Sequence, residues 1–204
     1  MCLATLATVG QTLWLQAEDA NRDKWQRPNE VMDELGVHAG SVVADVGTGR
    51  RYFTFRLAAQ VGPEGREYAV DTDEGRLAEI GRRAESKGMR RIELIVGAAD
   101  DPRLPAEALD AILVVNTYHE MREHEAILRE MFRALKPGGL LCIIDEAASL
   151  GRPRSVYHQN HENPKELRRE DTTRIGSGSV REPTGFHTAE DDEWYFLIFS
   201  KPAS

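Results

Sequence analysis

The sequence predicts an α/β protein, a three-layer sandwich built on a doubly wound, mostly parallel β-sheet. Three observations carry this expectation. Short apolar runs alternate with amphipathic stretches from Ser41 to Asp145. Strands buried on both faces read as continuous apolar runs, and the helices that cover them show a 3.6-residue period. The helical stretches end at glycine or proline punctuation, namely Gly36, Gly62-Pro63, Gly88 and Pro137-Gly138-Gly139, which stop helices by conformation and by loss of a donor. The third observation is length. At 204 residues, 41% of them hydrophobic, the chain can bury one core without disulfide staples.

The elements follow in order. Pro28 to Leu35 reads as a short helix with Pro28 near its first position and Gly36 past its end,. Ser41 to Val46 (SVVADV) is a strand, Arg51 to Val61 a helix, and Glu67 to Asp71 (EYAVD) a second strand. Asp73 to Lys87 is a charged helix, Ile92 to Val96 a third strand, and Leu109 to Val115 (LDAILVV) a fourth. Glu123 to Leu135 is a helix with Ile127, Leu128, Met131, Phe132 and Leu135 on one face,. Leu140 to Asp145 (LLCIID) is a fifth strand, and Cys142 within it reads as a small buried hydrophobe,. From Ala147 to Glu182 the pattern decays, with one helix expected near Pro164 to Arg174. The aromatic run Glu193 to Ser200 reads as a final strand,. So little chain precedes it that it must pair antiparallel with a strand near Ser179 to Glu182.

Composition excludes several functions. Lysine and arginine number 26 against 34 acidic residues, a formal net charge of −8, so no nucleic-acid partner is expected. Two cysteines, Cys2 and Cys142, make no disulfide framework, and no Cys/His cluster has zinc-finger spacing,. His158 and His161, with Glu162 adjacent, have a spacing that can bind a metal on a helix, but no third ligand is assured and a solvated polar loop is the better account, so no metal is expected,. Residues 1–22 form a lead-in to a single domain spanning 23–204. Met1 to Ala17 carry no charge, yet are too short and too interrupted to span a bilayer, so no stable membrane span is expected,. They read as a frayed or docked segment of a cytoplasmic protein. The alternative is an exported protein in which residues 1–17 are part of a signal peptide lacking its basic start.

In a doubly wound sheet, ligands bind at the carboxyl ends of the strands. After the first strand comes Asp45-Val46-Gly47-Thr48-Gly49, a turn that lets backbone approach a ligand,. After the second comes Asp71, a carboxylate placed to accept both hydroxyls of a ribose,. After the third comes Gly97-Ala98-Ala99-Asp100-Asp101, suited to an adenine edge, and after the fourth Asn116-Thr117-Tyr118-His119-Glu120. Tyr52 stands where a dinucleotide fingerprint needs its last glycine,. Asp45, two positions before the first glycine, points instead to a ligand with a cationic end. The combination of ribose, adenine and cationic amino-acid tail fits S-adenosylmethionine. Structural roles compete at each position: Asp45, Asp100 and Asp101 as turn formers, and Asp71 as a helix cap.

At these residues the sequence resembles the class I S-adenosylmethionine-dependent methyltransferases, in particular small bacterial members of the ubiquinone/menaquinone-biosynthesis type. The match runs through Val42-Val-Ala-Asp-Val-Gly-Thr-Gly49, Tyr68-Ala-Val-Asp71, Asp100-Asp-Pro-Arg-Leu-Pro105, the Asp110 to Asn116 strand and Leu135-Lys-Pro-Gly-Gly139, with the lead-in Arg22-Asp-Lys-Trp-Gln-Arg-Pro28 before them. The resemblance implies a Rossmann-like seven-stranded sheet with an antiparallel last hairpin. It implies methyl transfer from S-adenosylmethionine to a small-molecule acceptor, with S-adenosylhomocysteine as product. It would place Asp45, Gly47, Thr48 and Gly49 at the methionine end, Asp71 at the ribose, Ala99, Asp100 and Asp101 at the adenine, and Asn116 beside the sulfonium.

One position departs from that family. A glycine is common two residues after Gly49, and here Arg51 stands there. Arg51 either points outward, pairs with the methionine carboxylate, or obstructs the pocket. The last case, with the polar Gly151 to Glu182 stretch expected to form much of the acceptor wall, motivates the alternative of a weakened or inactive nucleoside-binding relative. Tyr118 and His119 are the candidates for a substrate-facing catalytic role, His119 as a base, against a plain helix start. Trp25 and Gln26 either fold over the ligand as a lid or pack the lead-in.

Overall fold

The computed structural model describes residues 22–24, 26–146, 165–183 and 194–203. Trp25, His158, His161, Glu162 and the first 21 residues, with the question of export, lie outside the described residues.

The chain runs α1 (Pro28–Glu34), β1 (Val42–Val46), α2 (Thr54–Val61), β2 (Arg66–Asp71), α3 (Glu74–Ser86), β3 (Ile92–Val96), β4 (Leu109–Val115), a 3₁₀ turn (Tyr118–Glu120), α4 (His124–Ala134), β5 (Leu135–Glu146), α5 (Lys165–Arg174), β6 (Val180–Arg181) and β7 (Trp194–Ser200). The seven strands form one sheet in the order β3-β2-β1-β4-β5-β7-β6. The first five are parallel. β7 runs antiparallel to β5 from Leu140↔Ser200 to Glu146↔Trp194, and β6 pairs antiparallel with β7. This is the expected doubly wound sheet with an antiparallel final hairpin.

Period-two alternation sorts the strand residues onto two faces. Ala44, Val46, Ile112, Val114, Leu141, Ile143, Leu197 and Phe199 meet Ile127, Leu128 and Met131 of α4 on one face. Val43, Leu113, Cys142, Ile144, Phe196 and Ile198 meet Val31 and Met32 of α1 and Leu57 and Val61 of α2 on the other. Cys142 is fully buried, which pushes its thiol pKa well up. Among the described residues no helix is long and apolar enough to cross a membrane.

Two boundaries differ from expectation for local reasons. α2 begins at Thr54, not Arg51, because Arg51 has φ +64, a left-handed backbone that cannot propagate a right-handed helix. β5 begins at Leu135, before Pro137-Gly138-Gly139. Leu135 pairs with Leu109, the register shifts, and the regular ladder resumes at Ala111↔Leu140. The turn residues thus interrupt the ladder without ending it, helped by Lys201, which donates to Gly139 O at 2.8 Å and accepts from Gly138 N at 3.0 Å.

Glu67 is an anomaly in this core. It is fully buried on β2, and neither carboxyl oxygen has a hydrogen-bond partner. Burial, reinforced by Asp45, raises its pKa well above the usual carboxylate range. A carboxyl whose folded pKa lies above its unfolded value stabilises the fold fully below the unfolded pKa, and that contribution is lost as pH rises through the folded pKa. Glu67→Met, of similar volume and without orphaned acceptors, is therefore expected to stabilise the protein by about 1–3 kcal/mol. The gain should be larger at pH 8 than at pH 5, as read by thermal melts at the two values.

Candidate active site

A cavity of about 1010 Å³ opens at the carboxyl ends of β1, β2 and β4. Its wall includes Asp45 to Arg50, Val70 to Thr72, Gly97 to Ala99, and Val115 to Thr117. Arg22 and Gln26 of the lead-in also line it, and its apolar wall residues include Phe53 and Trp194 from one face of the sheet and Met121 and Ile127 from the other.

The glycine turn is clamped from both neighbouring strands. Gly47 N and Thr48 N donate to Val70 O at 2.8 and 3.2 Å. From β4, Thr117 Oγ1 lies 3.2 Å from Gly47 O and 3.0 Å from Val115 O. Gly47 has φ +79, and a Cβ there would sit 2.2 Å from Thr117 Cγ2. Only glycine satisfies both the backbone and the space.

Asp71, at the end of β2, accepts from Thr48 Oγ1 at 3.2 Å and Gly49 N at 3.1 Å through Oδ2, and from Asp73 N at 3.0 Å through Oδ1. It does not cap α3. Asp73 does so, accepting from Gly75 N and Arg76 N. The carboxylate keeps acceptor capacity on Oδ1, since an ionised carboxylate has about four lone-pair sites.

Asp45 is buried, with Oδ2 accepting from Thr54 Oγ1 at 2.7 Å. Burial is the main reason its pKa rises to about 6, and the Asp71 charge adds to the rise while Thr54 and Arg22 oppose it. It is thus largely ionised at neutral pH and poised to gain from a nearby cation. If Asp45 receives a cationic ligand, affinity is constant above pH 7 and falls roughly tenfold per unit below about pH 6, where the carboxyl holds its proton,. Calorimetric titrations from pH 5 to 8 check this, and Asp45→Asn should remove the dependence.

Not every expected residue reaches the cavity. Asp45, Gly47, Thr48, Gly49, Asp71, Ala99 and Asn116 do. Asp100 and Asp101 are not on its wall. Asp101 instead forms a turn, its carboxylate accepting from Arg103 N at 2.6 Å and its carbonyl from Ala98 N at 2.7 Å. Tyr118 is fully buried in the core beside α4, its ring 4.7 Å from that of His124. The substrate-facing role expected of it is therefore corrected to a packing role.

His119 stands between Thr117 and Glu120, both on the wall. Its backbone N donates to Asp145 Oδ2 at 2.8 Å, and its Nδ1 lies 2.7 Å from Asp145 Oδ1. Asp145 is fully buried, and His119 Nε2 is 3.9 Å from Glu120 Oε1. The carboxylate fixes the ring through Nδ1; His119 itself is not on the cavity wall, which its neighbours Thr117 and Glu120 line.

Arg51 turns away. Its guanidinium pairs with Glu79 of α3 at 3.0 Å, and the wall carries Arg50 in its place. Its left-handed φ explains why glycine suits this position on backbone grounds alone,. Neither obstruction of the pocket nor pairing with a ligand carboxylate is needed to account for it. Of the stretch expected as acceptor wall, residues 151–164 lie outside the described residues, and the described side chains of 169–182 are not on the cavity wall. They pack on α4, where Arg174 reaches Glu125 at 2.7 Å.

Sequence reading underrated the lead-in. Arg22 donates to Gln26 Oε1 at 3.2 and 2.9 Å and lies 4.0 Å over the Tyr52 ring. Arg56 lies over the same ring at the same distance, while Asp23 accepts from Tyr52 OH at 2.5 Å and from Arg56. Tyr52, which spoils the dinucleotide fingerprint, is the post to which the lead-in is tied. The i,i+4 spacing of Arg22 and Gln26 was the available signal that both face the same way.

Residues 43–139 match the family model described as a methyltransferase domain. A demethylmenaquinone methyltransferase from Geobacillus stearothermophilus is 29% identical over 136 residues, covering 66% of this chain and 57% of that protein. The protein of the same name from Listeria welshimeri is 32% identical over 123 residues, covering 60% and 51%. The chain thus spans a little over half the length of these curated relatives. In fold, a SAM-dependent methyltransferase from Aquifex aeolicus superposes with a TM-score of 0.71 at 24% identity, covering 88% of this chain and 92% of that one. The matched motifs, the sheet order and the position of the cavity agree: residues 43–139 are a methyltransferase domain of the class I S-adenosylmethionine-dependent type.

Proposed function

We propose that this protein transfers a methyl group from S-adenosylmethionine to a small, apolar acceptor with an acidic hydroxyl on a planar ring. The observation that carries the reading is the meeting of the Gly47 to Gly49 cradle with two carboxylates, Asp45 and Asp71, in one cavity. A cationic, ribose-bearing ligand fits that donor set. S-adenosylmethionine, when bound, supplies a methyl group on a positively charged sulfur and leaves as S-adenosylhomocysteine.

In this reading Asp45 and the cradle hold the amino-acid end, and Asp71 accepts from the ribose. Gly97 to Ala99 border the adenine, and Asn116 stands near the sulfur. The acceptor lies against Phe53, Met121, Ile127 and Trp194, whose apolar surface also excludes water from the displacement. The name shared by the two curated relatives supports a ring of the quinone class. His119 Nε2 takes the acceptor's hydroxyl proton, which makes the ring nucleophilic, as the bond from the acceptor to the methyl carbon forms and the methyl–sulfur electron pair passes to sulfur. Asp145 is a positioning residue that holds Nδ1 and stabilises the imidazolium.

Thermal melts with S-adenosylhomocysteine, S-adenosylmethionine and NAD test the reading. Ligand at a hundredfold excess over Kd stabilises the native state by about 2.7 kcal/mol, roughly 5–10 °C for a chain of this size. Shifts with both S-adenosyl compounds and none with NAD are expected. No shift with either S-adenosyl compound would overturn it.

A further inference from the structure

We propose that two copies of this chain associate through the outer edge of β3, antiparallel about a two-fold axis at Leu94, so that their sheets join into one. This surface is separate from the cavity and does not depend on what the cavity binds.

The sheet has β6 at one edge and β3 at the other. β6 has only two residues, and a very short edge resists pairing. β3 has five, Ile92–Val96, with no proline among them. Arg91 O accepts from Glu67 N, and Gly97 N donates to Asp71 O, so the odd-numbered residues of this stretch bond to β2. Ile92, Leu94 and Val96 therefore turn their N–H and C=O groups outward. Arg103 Nη1 reaches Val96 O on that side, at 3.1 Å. Among the described residues, the exposed large hydrophobic side chains are Leu94 at 42% and Val96 at 36%. An apolar edge of this length in water is a template for another strand.

The charges at its two ends select a second copy as the occupant. Exposed Lys87 and Arg90 precede the strand, and Asp100 and Asp101 follow it. An antiparallel copy lays basic end against acidic end twice, whereas a parallel one opposes like charges. With Leu94 opposite the partner's Leu94, Ile92 lies opposite the partner's Val96, and every outward backbone group of the strand meets a complement. Centring on Glu93 would instead set two carboxylates face to face. Arg103 is exposed and yields Val96 O to the N–H of the partner's Ile92. Gly97 to Ala99 continue β3 onto the cavity wall, so the basic end of each copy comes to the cavity rim of the other.

Sedimentation velocity on the full chain tests this, and wild type should show a dimer whose population rises with protein concentration. Leu94→Lys sets two ammonium groups on the axis and should weaken the dimer at least about 100-fold, with the far-UV circular dichroism unchanged. Val96→Lys serves if Leu94→Lys fails to fold. Arg103→Ala should tighten the dimer, because it releases Val96 O. Lys87→Glu and Asp100→Lys should each weaken it roughly three- to tenfold, since each acts at both symmetric junctions, and together they should restore it. In a Cys2→Ser background, mild oxidation should link two copies of Leu94→Cys, whose Cα atoms would lie about 5.5 Å apart, and leave Glu93→Cys unlinked. A monomer at every concentration would overturn the proposal. So would a dimer that Leu94→Lys leaves intact or that Leu94→Cys does not link.

Discussion

Gly47→Ala is expected to abolish measurable binding of S-adenosylhomocysteine, at least a hundredfold loss, and to destabilise the fold by about 2–4 kcal/mol. Two costs combine. The backbone at φ +79 is left-handed, worth about 1–2 kcal/mol against any side chain. The new methyl would also stand 2.2 Å from Thr117 Cγ2 and 2.6 Å from Oγ1, so Thr117 must leave and give up its contact with Gly47 O. Gly49→Ala is the control: its φ is +46, but a Cβ would meet only Gly47 O at 3.8 Å. It should cost only about 1 kcal/mol of stability. In a Thr117→Gly background the cost of Gly47→Ala should shrink to its backbone part, a coupling that a double-mutant cycle reads directly. Equal melting temperatures for Gly47→Ala and wild type would refute the clamp.

The fold was legible because its signals are local and redundant. A strand such as Leu109–Val115 announces itself by seven residues with one charge among them. Asp45 and Asp71 were legible for the same reason, since topology fixes what a strand end does. What sequence could not rank was competition within a loop. Asp101 reads as an adenine ligand until its carboxylate is seen bonded to Arg103 N, and a short acid serves a turn as readily as a ligand. Tyr118 and His119 are adjacent after the fourth strand, and nothing local says which of them packs inward; the structure buries Tyr118 in the core. Gln26 is held by Arg22, and the lead-in is anchored on Tyr52 through Arg22 and Asp23, contacts across some 30 residues that no local pattern encodes.

The departure at Arg51 changes meaning on the same grounds. A glycine can be required for space or for backbone angle, and the two look identical in sequence. At Gly47 both apply. At position 51 only the angle does, and the side chain leaves toward Glu79. The substitution is therefore a modest strain on the turn and no obstacle in the pocket.

His119→Ala is expected to lower turnover of a hydroquinone acceptor by 10²- to 10⁴-fold, the usual worth of a general base, with S-adenosylhomocysteine affinity within about twofold. The base works only in the tautomer with its proton on Nδ1, and Asp145 selects that tautomer by accepting there at 2.7 Å,. Asp145→Asn offers an amide N–H in competition, which favours the proton on Nε2, where it blocks proton acceptance. Turnover should fall about a hundredfold with the fold intact, because Asn keeps an oxygen for the His119 backbone N–H. The two residues act as one unit, so the double variant should be no slower than His119→Ala alone. Added imidazole should restore part of the activity of His119→Ala and none of that of Asp145→Asn, in which the side chain still fills the site. A merely structural role for His119 would leave imidazole without effect, and full turnover in His119→Ala would remove the base from the reaction.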